Sequence, residues 1–352
     1  MRRAWILLAA MLLASCGELG VGAGGDAGGP AAGDDGGAQV RMARASWDTG
    51  FMQAEVTRQL LEELGHDVAD PAGRTLDAAT FYPLLARGEI DLWVNGWFPL
   101  HEPFLDRQLV TGQTISEPIE VVGTQVEAGA LQGFLVDRAS AERLGITSTD
   151  DLADPAVAAE FDTDGDGLAD LLGCDDGWGC QLGIDERISG SDWGANVEQV
   201  SGDYAELVAG ALERIEAGDP VLLYTWTPNW TVDVLEPGED VVWLESTPPA
   251  GVAGSTVVQD LAGCATGAGD CELGWLVNDV RGVANADFLA ANPDVRALLE
   301  RVRIPLDDIA EQNARMQAAE GYSDADVRRD AEEWIAANRD QVDAWLEASR
   351  HG

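Results

Sequence analysis

The sequence predicts an α/β protein with two lobes and a ligand cleft between them. Short apolar strands alternate with amphipathic helices along most of the chain. About 310 residues follow a Gly-rich amino-terminal segment, enough for two lobes with separate cores. Several tryptophans stand in Gly- and Pro-rich stretches directly after predicted strands, where α/β sheets bind their ligands.

A strand, a loop and a helix open the predicted fold. Residues 40–46 are predicted to form a strand, and residues 52–65 place Val56, Leu60 and Leu64 at helical spacing before a Gly stop. A helix at 78–87 then leads into a short strand at 90–94. The same alternation continues as far as residue 223, which favours a largely parallel sheet.

The carboxyl-terminal part is predicted to be helical, at 293–303, 306–319 and 323–348. Trp334 and Trp345 lie eleven residues apart in the last of these segments. Eleven positions at about 100° each return nearly to the same helix face, so both indoles are predicted to pack into the core.

The remaining tryptophans divide into strand residues and packing residues. Trp243 and Trp275 each stand in a short apolar run and are predicted to be buried strand residues. Packing is the favoured interpretation for Trp47 and Trp93, and Trp230 is predicted to brace the tryptophan four residues before it.

The amino terminus predicts export. Arg2 and Arg3 precede an apolar run at 4–13, and the Leu-Ala-Ser before Cys16 resembles the lipobox of bacterial lipoprotein precursors. Residues 1–15 are therefore predicted to be a signal peptide, and residues 16–38 a lipidated Cys16 with a flexible Gly/Ala/Asp tether. An ordinary signal peptide with an unrelated cysteine is the alternative.

The charge of the chain excludes some classes of partner. The formal net charge is -42 at pH 7, which argues against nucleic acid and against acidic membrane surfaces. We interpret the acidity as a solvated surface, and it does not identify a substrate.

The other four cysteines form two pairs that are close in sequence, Cys174 with Cys180 and Cys264 with Cys271. In an exported protein two local disulfides are the simplest interpretation. A zinc site of four cysteines is the alternative, but the spacing within each pair is longer than that of usual zinc knuckles.

Three segments with central tryptophans carry the functional hypothesis: residues 95–101, 176–180 and 224–230. We expect these tryptophans to be loop residues that present exposed aromatic faces to a ligand. The guest that suits such a box is a quaternary ammonium cation, because it has no N–H to donate and is attracted to aromatic faces.

One acidic stretch resembles the first half of a calcium loop. Asp162, Asp164, Asp166 and Asp170 stand near the expected ligand positions, with Gly167 at the sharp turn. The bidentate Glu of such loops is missing. A weak structural calcium site and a plain Asp/Gly turn therefore both remain open, and no cofactor is required.

Several motifs in a fixed order resemble the glycine betaine/proline betaine-binding proteins of ABC importers. They are Trp-x-Pro-x-His at 97–101, the stretch at 161–167, Gly-Trp-Gly-Cys at 177–180 and Tyr-Thr-Trp-Thr-Pro-x-Trp at 224–230. The resemblance runs from about residue 50 to the carboxyl terminus. It implies a two-lobe periplasmic-binding-protein-like fold (type II), with lobe 1 at 39–132 plus 273–352 and lobe 2 at 133–272.

The resemblance also implies roles for individual residues. Trp97, Trp178 and Trp226 would box the trimethylammonium group, and His101 with the backbone amides of Gly179 and Cys180 would hold the carboxylate. The protein would perform no chemistry. It would be a membrane-anchored lipoprotein on the periplasmic or outer side, and it would deliver its ligand to an ABC permease and its ATPase.

Two functions of other classes are weaker alternatives. A carbohydrate-binding receptor would also use tryptophan stacking, but it needs more polar side chains between the rings than these segments offer. A secreted hydrolase is suggested only by the many carboxylates, and neither a Gly-x-Ser-x-Gly nor a His-Glu-x-x-His motif is present.

Overall fold

A mixed sheet of seven strands forms the centre of the protein, whose computed structural model describes residues 37–351. The strands are β1 Gln39–Val40, β2 Arg44–Ala45, β3 Asp67–Val68, β4 Thr75–Leu76, β5 Leu92–Phe98, β6 Ile119–Asp137, β7 Ala169–Leu172, β8 Val197–Val200, β9 Leu222–Thr227, β10 Val241–Trp243, β11 Val257–Val258, β12 Cys271–Glu272 and β13 Asn278–Asn285. The α/β class is as predicted.

Helices cover the sheet and fill the carboxyl-terminal part. They are α1 Phe51–Glu63, α2 Ala78–Ala86, α3 Glu102–Leu105, α4 Arg138–Leu144, α5 Pro155–Ala158, α6 Gly179–Gly190, α7 Tyr204–Ala217, α8 Thr231–Leu235, α9 Ala286–Ala291, α10 Pro293–Leu299, α11 Leu306–Ala318, α12 Asp324–Ala337 and α13 Arg339–Ser349. In residues 37–351, no helix is both long enough and apolar enough to cross a membrane.

The prediction of a largely parallel sheet is wrong. In the central sheet, β13 pairs antiparallel with β5 and β6, and β6 pairs antiparallel with β9 and β10. Parallel pairing is kept between β7 and its neighbours β8 and β9, and in the small pairs β1–β3 and β2–β4. Two of the antiparallel pairs arise because β13, far along the chain, enters the sheet between β5 and β6, and the other two are made by the last part of β6 with β9 and β10.

The longest strand, β6, connects two parts of the sheet. Its first part, from Ile119 to Ala130, pairs with β13, and its last part, from Leu131 to Asp137, pairs with β9 and β10. The part of β6 that meets β9 and β10 borders a second, smaller hydrophobic core, which includes Leu135.

The helix predictions hold with small shifts. The helix predicted at 52–65 is α1, and that predicted at 78–87 is α2. The single helix predicted at 323–348 is two helices, α12 and α13, with Asn338 between them. Trp334 and Trp345 are buried, as predicted, with ring centroids 6.5 Å apart.

The tryptophans predicted in loops are mostly on regular elements. Trp97 is inside β5 and Trp226 inside β9, while Trp178 immediately precedes α6. Trp243 is a buried strand residue of β10, as predicted. Trp275 is buried, as predicted, but it lies outside the strands, so its prediction as a strand residue is wrong.

Candidate ligand-binding site

The six residues predicted to hold a ligand line one cavity. It encloses about 290 Å³ of empty space, part of it open to solvent. Its lining residues are Trp47, Trp97, Leu100, His101, Trp178, Gly179, Cys180, Tyr224 and Trp226. The sequence interpretation did not include Trp47 and Leu100 in the site, and it assigned no ligand role to Tyr224.

Four indoles and one phenol ring form the aromatic walls. The rings of Trp178 and Trp226 are 5.7 Å apart at 80°, and those of Trp47 and Trp178 are 5.5 Å apart at 72°. Neighbouring rings that are nearly perpendicular form adjacent walls of a box rather than a stack. All four indoles are buried, so the rings enclose a cavity instead of presenting exposed faces as predicted.

Trp47 is the wall that the sequence interpretation missed. The sequence favours packing for this residue, and Trp47 does pack against Trp93, with ring centroids 5.4 Å apart, as well as lining the cavity. A usable signal was present, because Trp47 follows the predicted strand at 40–46, in the position relative to a strand that favoured the other box residues. Trp230 does not line the cavity, and its backbone N–H donates to Asn313 Oδ1 at 2.7 Å.

His101 is a neutral hydrogen-bond donor at this site. Its side chain is buried, and burial lowers its pKa to about 3. The backbone N–H of Trp97 lies 3.2 Å from Nδ1, and the Tyr82 hydroxyl lies 3.0 Å from the same atom. Since a backbone N–H only donates, Nδ1 is an acceptor and the imidazole proton is on Nε2.

The first turn of α6 supplies further donors. Trp178 precedes this twelve-residue helix and its side chain caps no amide, so the first backbone N–H groups of the helix, starting at Gly179 and Cys180, have no partner inside it. Such a helix start favours an anion. A Cβ at Gly179 would lie 2.8 Å from His101 Cδ2, so only glycine allows α6 to approach the histidine this closely.

Both predicted cysteine pairs are at bonding distance. Cys174 and Cys180 join the segment before α6 to its first turn, next to the cavity. Cys264 and Cys271 form a separate pair in the second core. The four sulfur atoms are therefore divided between two disulfides, which overturns the zinc alternative.

The predicted calcium ligands belong to two overlapping groups of carboxylates. Asp162, Asp164 and Asp166 have oxygens within 4.8 Å of one another, whereas Asp170 meets Asp164 and Glu198. Asp162 and Asp170 already accept backbone N–H groups of the same loop. The loop is thus ordered by its own hydrogen bonds, as a plain Asp/Gly turn would be.

Known proteins share this sequence pattern and fold. The family model described as the substrate binding domain of an ABC-type glycine betaine transport system matches residues 38–337. The glycine betaine-binding periplasmic protein OusX of Dickeya dadantii (strain 3937) is 36% identical over 314 residues, which are 89% of this chain and 90% of that protein.

Two solved structures agree in fold. Lactococcal OpuAC, in a closed conformation with glycine betaine, has a TM-score of 0.62 at 17% identity, covering 88% of this chain and 99% of its own. An ABC-transporter choline-binding protein in complex with choline has a TM-score of 0.63 at 20% identity, covering 89% and 94%. The fold is that of the two-lobe periplasmic substrate-binding proteins, as predicted. The chain belongs to the family of substrate-binding domains of ABC-type glycine betaine transport systems.

Proposed function

We propose that the protein is a solute receptor that binds glycine betaine, or a closely related zwitterion, and delivers it to an ABC transporter. The observation that carries this proposal is that an aromatic box and a set of neutral N–H donors line one cavity. The box suits a trimethylammonium group, and the donors suit the carboxylate of the same molecule.

Each half of the ligand has a matching part of the cavity. The indoles of Trp97, Trp178 and Trp226 receive the cation, and Trp47 adds a fourth wall. His101 Nε2–H and the first amides of α6 receive the carboxylate. These donors are uncharged, so an anion there is held by hydrogen bonds and by the positive end of the helix.

The expected affinity is micromolar. A cation–π contact contributes ~1 kcal/mol at an exposed site and ~2 kcal/mol when desolvated. Three or four such walls with two or three charge-assisted hydrogen bonds are enough for a binding free energy of about -8 kcal/mol, which corresponds to a Kd of about 1 µM.

The ligand is proposed to be trapped between lobes with the boundaries expected from the sequence, 39–132 plus 273–352 and 133–272. The change of pairing partners along β6 near Gln132 supports this division. Two hydrogen bonds join the proposed lobes beside the cavity: Trp178 Nε1 donates to Ser46 Oγ at 2.7 Å, and Ala79 N–H donates to the Gly177 carbonyl at 3.1 Å. These contacts are those of a closed trap.

We further propose an extracytoplasmic location, as for the periplasmic relative, with anchoring through a lipid on Cys16. Cys16 lies outside the described residues. The permease and its ATPase are the partners expected from the family. A calcium ion at the Asp162 loop would be structural, and a rise in melting temperature on adding calcium would reveal it.

Choline is the strongest rival ligand. It would fill the aromatic box, but it has no carboxylate and would leave His101 Nε2–H and the helix amides without an acceptor. A sugar is disfavoured because the lining offers few polar side chains. A hydrolase is disfavoured because the described lining residues include no Asp or Glu.

Isothermal titration calorimetry of the purified protein tests the proposal. We expect a Kd of about 1 µM for glycine betaine and at least about tenfold weaker binding of choline. Maltose serves as the control for the carbohydrate alternative. Absence of heat with millimolar glycine betaine, or tighter binding of maltose, would overturn the assignment.

A further inference from the structure

One buried amide, Asn95, lies behind two walls of the aromatic box. It stands on β5 between Trp93 and Trp97 and does not line the cavity. Its Oδ1 accepts the indole N–H of Trp97 at 3.0 Å and also that of Trp47. Its Nδ2 donates to Oε1 of Gln53, a buried residue of α1. A single side chain therefore connects both indoles to a helix.

The chemistry of the partners allows only one orientation of this amide. An indole N–H is a donor without acceptor capacity, so the atom that faces both Trp47 and Trp97 must be the carbonyl oxygen of Asn95. The NH₂ group of Asn95 then points to Gln53, which must present its own carbonyl oxygen. Reversing either amide would place donors against donors or acceptors against acceptors.

Close packing holds Asn95 in this place. A Cβ at Gly50 would lie 2.9 Å from Ala45 Cβ and 3.1 Å from Asn95 Cγ, so the backbone at Gly50 already closes one side of the amide. Asn95 is 2% exposed and Gln53 is 1% exposed. In such surroundings an unpaired indole N–H has no water to replace a lost acceptor.

We propose that Asn95 is a positioning residue that sets the orientation of Trp47 and Trp97 before ligand arrives, with Gln53 orienting Asn95. All four residues precede residue 132, so the network lies within one proposed lobe and does not depend on closure. Indoles that are already ordered lose less conformational entropy on binding, and the affinity for a quaternary ammonium group is higher for that reason. The affinity part of this inference rests on the proposed function.

The test compares three variants of the full chain. Asn95→Leu has a similar shape but no acceptor, Asn95→Asp keeps an acceptor for both indoles, and Gln312→Leu removes a buried amide on α11 that bonds the Tyr322 hydroxyl. The first readout is the indole ¹⁵N–¹H spectrum of ligand-free protein, with the Trp47 and Trp97 resonances assigned from Trp47→Phe and Trp97→Phe. The second is the Kd for glycine betaine.

In Asn95→Leu we expect the Trp47 and Trp97 indole resonances to shift together and to exchange faster with solvent, and the Kd to rise about tenfold. In Asn95→Asp both resonances stay protected and the Kd stays within about threefold, since Gln53 can turn its NH₂ group toward the new carboxylate. Gln312→Leu lowers the melting temperature but moves neither resonance nor Kd.

Unchanged indole resonances in Asn95→Leu would overturn the inference, and so would an equal loss of affinity in Asn95→Leu and Asn95→Asp. If Asn95→Leu does not fold, the variant Gln53→Met tests the inference in its place. It removes the acceptor of Asn95 Nδ2, and both indole resonances must then move together. If the wild type binds no betaine, the proposed function fails, while the ligand-free spectra still decide whether Asn95 positions the indoles.

Discussion

The two halves of the aromatic box are built differently. In the first half, the indole N–H groups of Trp47 and Trp97 are both bound by Asn95, a residue of the same proposed lobe. In the second half, Trp178 donates across the cleft to Ser46, and the buried Trp226 Nε1 has no acceptor among residues 37–351. Trp226 is held instead by ring contact, with the Tyr204 ring 4.6 Å away.

This difference separates two contributions to binding: the ordering of the indoles in the free protein and the closure of the two proposed lobes. The first half can be complete in the open protein, because its hydrogen bonds stay within one lobe. In the proposed closure, the second half gains the Trp178 hydrogen bond only when the two proposed lobes meet. Substitutions in the first half should therefore change the order of the free protein, and substitutions at Trp178 should change how firmly the closed form is held.

The largest expected effect is at Trp178, which is both a wall and a contact across the cleft. Trp178→Ala should weaken glycine betaine binding about a hundredfold, because it removes a desolvated aromatic face and a hydrogen bond. Trp178→Phe keeps a face but no N–H and should lose about tenfold. Calorimetry measures both. Trp334→Phe, at the Trp334–Trp345 pair, is the matched control. Wild-type affinity in Trp178→Phe would remove the contribution assigned to closure, and equal losses in the two Trp178 variants would remove the contribution assigned to the aromatic face.

Substitution of His101 tests whether the carboxylate end of the cavity contributes to affinity separately from the aromatic box. His101→Ala should weaken glycine betaine binding about thirtyfold, since the carboxylate loses a charge-assisted hydrogen bond, and should leave choline binding nearly unchanged. His101→Gln retains an N–H donor and should recover part of the loss. The ratio of the two ligand affinities is the measurement, and an equal loss for both ligands would contradict the role given to Nε2.

Ser46 tests the contact across the cleft without changing any wall. Ser46→Ala removes the acceptor of the Trp178 indole N–H and should weaken glycine betaine binding about fivefold. The faster ligand dissociation expected from a less stable closed form is measured by stopped-flow tryptophan fluorescence. Ser46→Thr keeps the hydroxyl and is the control. A slower association rate with unchanged dissociation would argue against a role in holding the closed form.

The smallest expected effect is that of pH on ligand affinity, although a change of pH should alter the stability of the fold. Burial lowers the pKa of His101 to about 3, so the side chain stays neutral and glycine betaine affinity should be flat from about pH 5 to 8. In the unfolded chain the same histidine takes up a proton below about pH 6.5. Its contribution to stability is thus fully present above that pH and is lost as the pH falls from about 6.5 towards 3.

Thermal melts at several pH values check the stability part of this prediction. Wild type should lose more melting temperature on acidification than His101→Gln, which has no titrating group at this position. Parallel pH curves for the two proteins would contradict the assignment of a neutral, buried His101.

The sequence motifs identified the six lining residues better than they identified the local structure around them. The segment at 95–101 predicts a loop, so the predicted strand ends at residue 94. In the structure β5 continues through Asn95 and Gly96. A Cβ at Gly96 would lie 2.6 Å from Val283 Cγ2, so the glycine is required by close packing against β13 and not by a turn.

The error in strand direction has a physical origin. The central sheet is built from strands far apart along the chain: β13 joins β5 and β6 from more than a hundred residues away, and β9 and β10 also pair with β6. Local periodicity contains no information about such pairings. The role of Trp47 depends in the same way on distant partners, Asn95 and Trp178, whereas helices such as α1 were predictable from local spacing.

In the proposed closure of the two lobes, Gly179 sets how closely α6 can approach His101 and Leu100. The Cα of Gly179 lies against the edge of His101 and the side chain of Leu100. A methyl group on this Cα would clash with both side chains. An alanine at position 179 would stop the two proposed lobes before they reached the closed arrangement. The amides of α6 would then lie too far from the carboxylate of the proposed ligand. The ligand would dissociate faster, although every residue proposed to contact it would still be present.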